Sequence, residues 1–418
     1  MNDRRSDVLV LGGGVIGLAC AMHLLKQGAS VRVVEQGKLG GGASHGNCGT
    51  LTPSHAIPLL TPGAVRKALA LLGHHDAPLH IPAGMDLGRY FWLLRLARQG
   101  RPARAAHAAR ARADLLLRSA ELTRDWVREH ALDCEYAARG SLYVYRDARA
   151  LREAQAHARW LERLGIEARR VDGDALVEME PVLRQGLAGG YFHPGDAHLR
   201  PEAFVTELAR RVRELGGILE ESARIERVHV RDRTIEAVRT HRGVYYGERM
   251  VLALGAWSPQ FARMLGLRLP MQPGKGYSLT WSPPARLPSR PLMLREDAVC
   301  VSAWPSGLRL GGTMEFAGYD DRLVDVRLAA IRRAALRYLQ TSEGPRMQEM
   351  WWGWRPMSVD QLPILGESTR WNNLLYATAH GMLGMSMAAG TAEIIAALCG
   401  TGTCDLDLEP YSPRRFGL

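Results

Sequence analysis

The stretch SDVLVLGGGVIGLACAMHLLKQGASVRVVEQ, residues 6–36, changes its hydrophobic period twice. Residues 7–11 form a short apolar run of the length of a buried strand. Residues 15–27 carry apolar side chains at helical spacing, Gly28 punctuates their end, and residues 31–34 return to a β-branched run. The reading is a β-α-β unit. Gly12, Gly14 and Gly17 fill G-x-G-x-x-G at its first turn. Gly12 permits the tight turn, Gly14 lets backbone approach a pyrophosphate, and Gly17 lets helix and strand pack closely. The phosphates then rest on the helix N-terminus, where N–H groups lack intrahelical acceptors and the dipole favours negative charge. Glu35 closes the second strand about 20 residues after the glycines, where a carboxylate accepts from both ribose hydroxyls and repels a 2′-phosphate. The unit is therefore expected to bind a dinucleotide other than NADP.

The segment after Glu35 separates NAD from FAD. GKLGGGASHGNCGTLTPS, residues 37–54, is small and glycine-rich where an NAD-binding unit usually begins its next helix. Such backbone lies along an extended cofactor and approaches a flat ring, although a flexible surface loop has the same composition. Further on stand PGDAHLRPEAFVTELA (194–209), VLALGAWS (251–258), PGKGYSL (273–279), LRLGGTMEFAGYD (308–320), WWGWRPMSVDQLPILG (351–366) and ATAHGMLGMSMAAGTAEIIA (377–396). In this order, and over most of the chain, these segments resemble the D-amino acid dehydrogenase branch of the D-amino acid oxidase-like FAD oxidoreductases. That family also holds glycine and sarcosine oxidases.

The resemblance implies FAD. It places the cofactor on Gly12, Gly14, Val15, Ile16 and Gly17, on Glu35 and Gln36, and on Ala43, Ser44, Asn47, Cys48, Gly49 and Thr50 of the glycine-rich loop. Gly255 and Trp257 follow on the adenine side, and Gly381, Met382, Leu383, Gly384 and Met385 at the turn into a last helix. It also implies an α/β (α+β) fold of the glutathione-reductase/D-amino acid oxidase type, in which a Rossmann-like FAD-binding domain is interleaved with a mixed-sheet substrate-binding domain. Cofactor-type motifs near residues 10, 255 and 380, with no repeat or linker between them, assign 1–85, 190–265 and 350–418 to the first and 86–189 and 266–349 to the second. GSLYVYR (140–146) and KGYSLTW (275–281) read as strands of the second.

Arg355 stands among Trp351, Trp352 and Trp354. Arginine stays charged and is costly to bury alone, so its partner is an aromatic face, a carboxylate of the chain, or an anion brought from outside. The first two are structural. The resemblance favours the third, because an arginine in the matching motif binds the substrate carboxylate through two parallel donors. Dehydrogenation of an α-amino acid needs little more: the neutral amine's α-hydrogen passes as hydride to the flavin, and the protein orients and polarises. The chain shows no H-E-x-x-H, no G-x-S-x-G and no metal-ligand spacing. Tyr277 and His380 join Arg355 as catalytic candidates, with Tyr143 as a pocket candidate. Aromatics on strands are commonly core, His380 is as readily a satisfied histidine, and Glu315 reads best as part of a buried ion pair.

Composition bounds the rest. The chain has 418 residues, 46% of them apolar, and a formal charge of +11. Only four of its 54 basic residues are lysine, which points to base composition of the genome rather than to a nucleic-acid partner. Six scattered cysteines suggest neither a disulfide framework nor a zinc site and fit a reducing cytoplasmic compartment. No apolar run approaches 18 residues, and the N-terminus lacks a signal-type core. RLARQGRPARAAHAARARADLLLR (95–118), preceded by YFWLLRL, reads as a basic helix broken near Gly100 and Pro102. It is either a solvated face or a contact with anionic lipid on the inner side of the cytoplasmic membrane. The expectation is an FAD-dependent D-amino acid dehydrogenase, with cyclic substrates such as D-proline or hydroxy-D-proline among the candidates and a quinone or other non-oxygen compound as electron acceptor. The alternatives are a glycine- or sarcosine-type oxidase of the same fold, or a flavin-binding subunit or RNA-modifying flavoprotein recruited by its basic surface.

Overall fold

The computed structural model describes residues 4–61, 77–82, 84, 86–400 and 402–418. Its strands are β1 (Arg5–Leu11), β2 (Val31–Val34), β3 (Thr50–Leu51), β4 (Leu79–His80), β5 (Ser141–Tyr145), β6 (Arg169–Asp172), β7 (Gly189–His193), β8 (Ala197–His198) and β9 (Ile218–Glu220). There follow β10 (Ile225–Arg231), β11 (Thr234–Thr240), β12 (Gly243–Leu252), β13 (Met271–Trp281), β14 (Leu292–Leu294), β15 (Val299–Trp304), β16 (Gly307–Glu315), β17 (Met347–Ser358), β18 (Ile364–Glu367) and β19 (Leu374–Thr378). The helices are α1 (Val15–Lys26), α2 (Leu87–Ala97), α3 (Pro102–Glu129), α4 (Ala148–Arg163), α5 (Gly173–Met179), α6 (Pro201–Glu214), α7 (Ser258–Met264), α8 (Asp325–Ala335) and α9 (Gly384–Leu398).

The β-α-β unit predicted from residues 6–36 is β1–α1–β2, with β1 beginning two residues earlier, at Arg5, and α1 closing at Lys26 with Gln27 as its cap. β1 and β2 are parallel, and β12 lies parallel on the other side of β1. The sheet runs β10-β11-β12-β1-β2-β9, and β19 adds to β12 in parallel. Alternate residues of β1 feed two cores: Val8 and Val10 pack with α1, α6 and α9, whereas Leu9 and Leu11 pack with Phe261 and Ala262 of α7. A parallel strand covered on both faces reads as a continuous apolar run, which is why residues 7–11 show no alternation.

A second, mostly antiparallel sheet runs β17-β13-β16-β15-β14-β5-β7-β6, with β4 on β16. Its apolar face packs against α8 through Leu279, Leu310, Leu328 and Ile331. Ser141–Tyr145 and Met271–Trp281 belong to it, the two stretches read as strands of the substrate side. Segments grouped by sequence with the nucleotide-binding part are strands of this sheet instead: β4, β7 from residue 190 and β17 from residue 350. The reason is register, because β17 pairs with β13 along its length, from Met271 opposite Ser358 to Trp281 opposite Met347. The basic stretch breaks at residues 98–101, between α2 and α3, with Pro102 at the first helical position, where its missing N–H costs nothing.

Candidate active site

A cavity of about 520 Å³ runs from the first turn of β1–α1–β2 to the face of the second sheet. At the nucleotide end Gly12 has a φ of +108°, and a Cβ on Gly17 would lie 1.9 Å from the Gly12 carbonyl oxygen. The turn therefore brings α1 against the strand and leaves the helix N-terminus without a cap from its own N-cap residue: Gly14 stands there in extended conformation with no side-chain bond. Of the first N–H groups, Val15 donates to Ser44 Oγ at 3.0 Å. The Glu35 carboxylate accepts from Gly13 N and Gly37 N, both at 2.8 Å, which fixes it at the cavity wall with acceptor capacity to spare.

The glycine-rich loop is an ordered part of the wall rather than a flexible surface segment. Asn47 Nδ2 donates to Ala43 O at 3.3 Å and Ser44 O at 3.1 Å, and Gly49 N donates back to Asn47 Oδ1 at 2.7 Å. From β16 the buried Arg309 reaches under the loop, with Nη1 on His45 O at 3.2 Å and Asn47 O at 2.8 Å and Nη2 on Glu202 of α6. Ala43, Ser44, Asn47, Cys48 and Thr50 line the cavity, as do Gly12, Gly14, Val15, Ile16, Glu35, Gln36, Gly255, Trp257 and residues 381–385. Gly17 and Gly49 stand behind the wall, since both are close-packing positions: the backbone oxygens of Gly12 and Leu199 occupy the space their side chains would need.

At the other end Arg355 projects from β17 into the cavity. Its guanidinium crosses β13 at Gly276, where a Cβ would fall 2.2 Å from Cζ, Nη1 and Nη2, and Nη1 donates to Thr313 O on β16 at 2.8 Å. Thr313 has a φ of +63°, an unusual conformation for a β-branched residue and one that belongs to sites where surroundings dictate backbone. Among the described residues no carboxylate lies within 4 Å of Arg355. Burial lowers its pKa to about 10. Trp351 and Trp354 line the cavity beside it, whereas Trp352 stands behind, 5.0 Å from the buried Lys275 ammonium.

The other candidates divide. Tyr277 lines the cavity, and its hydroxyl donates to Glu315 Oε2 at 2.6 Å; burial and this carboxylate raise its pKa, so it keeps its proton. Glu315 is buried behind it, with His80 Nε2 at 3.9 Å. His380 lines the cavity, but its Nε2 is bonded to Thr391 Oγ1 of α9 at 2.9 Å, and burial drops its pKa to about 3. It is a neutral, satisfied histidine. Tyr143 sits behind the wall, its hydroxyl on Ser54 Oγ at 2.9 Å and His55 Nδ1 at 3.3 Å.

Residues 7–398 match the family described as FAD dependent oxidoreductase, DAO. The chain belongs to this family. FAD is its cofactor, and the residues fit: a helix N-terminus without a cap from its own N-cap residue for the pyrophosphate, a fixed carboxylate for ribose, and an ordered backbone-rich loop along the cavity. A D-amino acid dehydrogenase of Agrobacterium fabrum (strain C58 / ATCC 33970) is 31% identical over 421 residues, covering 98% of this chain and 99% of the relative. Among solved structures, glycine oxidase from Geobacillus kaustophilus superposes with a TM-score of 0.80 at 22% identity, over 98% of both chains. L-proline dehydrogenase from P. horikoshii superposes at 0.75 and 19% identity, over 99% of this chain and 98% of that one. Among the wall residues of this member of the DAO family that sequence reasoning missed are His55, Arg295 and Cys300. None lies in a motif, and the pairing of β14, β15 and β16 that brings the last two to the wall is long-range.

Proposed function

We propose that the protein dehydrogenates a D-amino acid to the imino acid and passes the electrons to a quinone or another non-oxygen acceptor. The observation that carries this reading is Arg355, a cavity-lining guanidinium with no carboxylate within 4 Å among the described residues. FAD supplies the two-electron acceptor. Thr313 O takes one Arg355 N–H and fixes the plane of the group, leaving its other donors for the two oxygens of a substrate carboxylate. Trp351 and Trp354 exclude water there and strengthen the pair. No strong base borders the reacting carbon in this scheme. The substrate amine enters uncharged, and the proton it sheds on oxidation goes to water.

With a panel of D- and L-amino acids, D-enantiomers are expected to reduce the holoenzyme at least about 10-fold faster than L, on the order of the discrimination a misaligned α-hydrogen produces. Stopped-flow mixing of reduced enzyme with oxygen and with a soluble quinone is expected to give faster reoxidation by quinone. Oxygen reoxidation fast enough to sustain full turnover would make the protein an oxidase.

We also propose that α2 rests on anionic membrane on the cytoplasmic side. Among the described residues no helix is long and apolar enough to cross a bilayer. One face of α2 is nonetheless apolar and bare, with Leu87 80%, Tyr90 43%, Phe91 62% and Leu94 51% exposed. Exposed Arg98, Arg101 and Arg104 follow it. Two further arginines of the stretch serve the fold, Arg112 buried on His55 O and Arg118 paired with Glu393, whereas Arg110 is exposed in a surface pair with Asp114. Cosedimentation with phosphatidylserine vesicles is expected at low salt, to weaken steeply as salt rises, and to fall in a Phe91→Asp variant. Absence of binding at low salt would leave α2 a solvent-facing helix.

A further inference from the structure

Arg355 is not the only guanidinium in the cavity wall: Arg295, the residue after β14, lines it too. Its neighbours are aromatic and basic. The guanidinium lies 4.9 Å from the centroid of the Tyr143 ring, with Tyr145 beside it. His55, His157 and His193 surround it, each kept neutral by burial, with the Arg295 charge adding to the effect. The nearby acids are spent elsewhere. Glu296 accepts from Arg146 N at 2.8 Å, Asp147 N at 3.0 Å and Tyr338 Oη at 2.7 Å. Asp196 accepts from Ser54 Oγ and Ser141 Oγ, both at 2.5 Å. Among the described residues no carboxylate lies within 4 Å of Arg295. The guanidinium is half-buried, and the Tyr145 hydrogen bond and stacking on Tyr143 favour its charge without neutralising it.

Strand register sets where this charge lies relative to Arg355. Gly311 of β16 and Met293 of β14 both pair with Cys300 of β15, so the three form one row across the sheet. β14 and β16 are each antiparallel to β15 and hence run the same way. Two residues further along each chain stand Thr313, in the bulge of β16 against β13, and Arg295, just past the end of β14, and both line the cavity. Thr313 is the residue that anchors Arg355. The row from Gly311 to Met293 spans two strand spacings, about 10 Å, which sets the scale of the gap between the anchor of one guanidinium and the backbone of the other. A short amino diacid held at each end by an arginine spans such a gap.

We propose that Arg295 binds an anionic group at the far end of the substrate side chain, so that the preferred substrate is an amino dicarboxylic acid. This rests on the reading that Arg355 holds the α-carboxylate, and it narrows the substrate from D-amino acids at large to those with an acidic side chain.

The test compares isosteric acid and amide pairs. Wild-type holoenzyme is expected to oxidise D-glutamate or D-aspartate with kcat/KM about 10-fold or more above D-glutamine or D-asparagine, and above D-proline. Arg295→Gln is expected to lower kcat/KM for the acid about 30-fold or more beyond its effect on the amide. A second arm needs no turnover: the holoenzyme is titrated with glutarate and with butyrate while the visible flavin band is followed. Glutarate is expected to bind more tightly in wild type, and Arg295→Gln to abolish the difference. An amide or D-proline preferred in turnover, with glutarate no tighter than butyrate, overturns the subsite and leaves the dehydrogenase reading standing. A glutarate preference that depends on Arg295, in an enzyme that oxidises no D-amino acid, supports the subsite and overturns the dehydrogenase reading. An Arg295→Gln variant that loses acid and amide activity equally and keeps its glutarate preference shows a structural arginine and also overturns the subsite.

Discussion

Arg355→Leu is expected to purify with its FAD and to lose about 30- to several-thousand-fold in kcat/KM, the cost of about 2–5 kcal/mol for stripping one partner from a desolvated, hydrogen-bonded charge pair. Leucine keeps apolar bulk beside Met314 and removes the donors. A loss confined to KM would mean that the carboxylate is held equally in ground and transition states; a fall in kcat as well would mean misaligned hydride transfer. The decisive comparison uses an amine of the same shape without a carboxylate, which the leucine variant should handle no worse than wild type. Gly276→Ala supplies an independent version of the test. The added Cβ meets Cζ, Nη1 and Nη2 at 2.2 Å, all at the mobile end of a long side chain, so the guanidinium moves and the strand stays. Its charge is kept and its aim is lost, and kcat/KM should fall while thermal stability holds. Loss of FAD or of folding in Arg355→Leu, with normal KM in the remaining activity, would make the arginine a structural one.

Gly17→Ala is expected to empty the cofactor site. Its Cβ would sit 1.9 Å from the Gly12 carbonyl oxygen and 3.2 Å from Val10 Cγ1, and a backbone oxygen at the foot of a buried strand cannot swing aside. α1 must lift from β1, which carries its N-terminal N–H groups away from where the pyrophosphate would lie. Overpacking of this kind costs about 1–3 kcal/mol, and displaced donors weaken anion binding further. The visible flavin absorbance per protein after gel filtration should drop several-fold and the melting temperature should fall. A variant that keeps stoichiometric FAD at the wild-type melting temperature would refute the close-packing role.

The nucleotide end was legible because its determinants are local. Residues 7–34 carry a complete β-α-β unit within one short segment, so period, glycine spacing and the terminal acid could be read together. The glycine-rich loop was legible in composition only: its order comes from Arg309, a residue far along the chain that no spacing rule connects to it. Arg355 stood out because a cation among tryptophans is conspicuous, yet the room it occupies is made by Gly276, which looked like one more glycine in a strand. Arg295 carried no signal. It borders the cavity because β14, β15 and β16 pair in one register, and pairing between distant strands is set by tertiary packing rather than by pattern. The same cause moved β4 across the boundaries drawn from sequence and made β7 and β17 straddle them.

β1 precedes every other described strand and is completed late. Its neighbour on one side, β12, ends at Leu252, β19 joins β12 at Leu374–Tyr376, and α9, which covers α1, runs to Leu398. During synthesis the β-α-β unit therefore leaves the ribosome with an unpaired strand edge and an uncovered helix face; β12 closes the edge once residue 252 is made, whereas the helix face waits until the second sheet has emerged. Long-range pairing of this kind makes folding slow, and unpaired edges invite association between unfinished chains. Neither sheet can be cut from the chain as a piece, and a fragment that stops before residue 374 lacks a strand of the first sheet along with the helix that shields it.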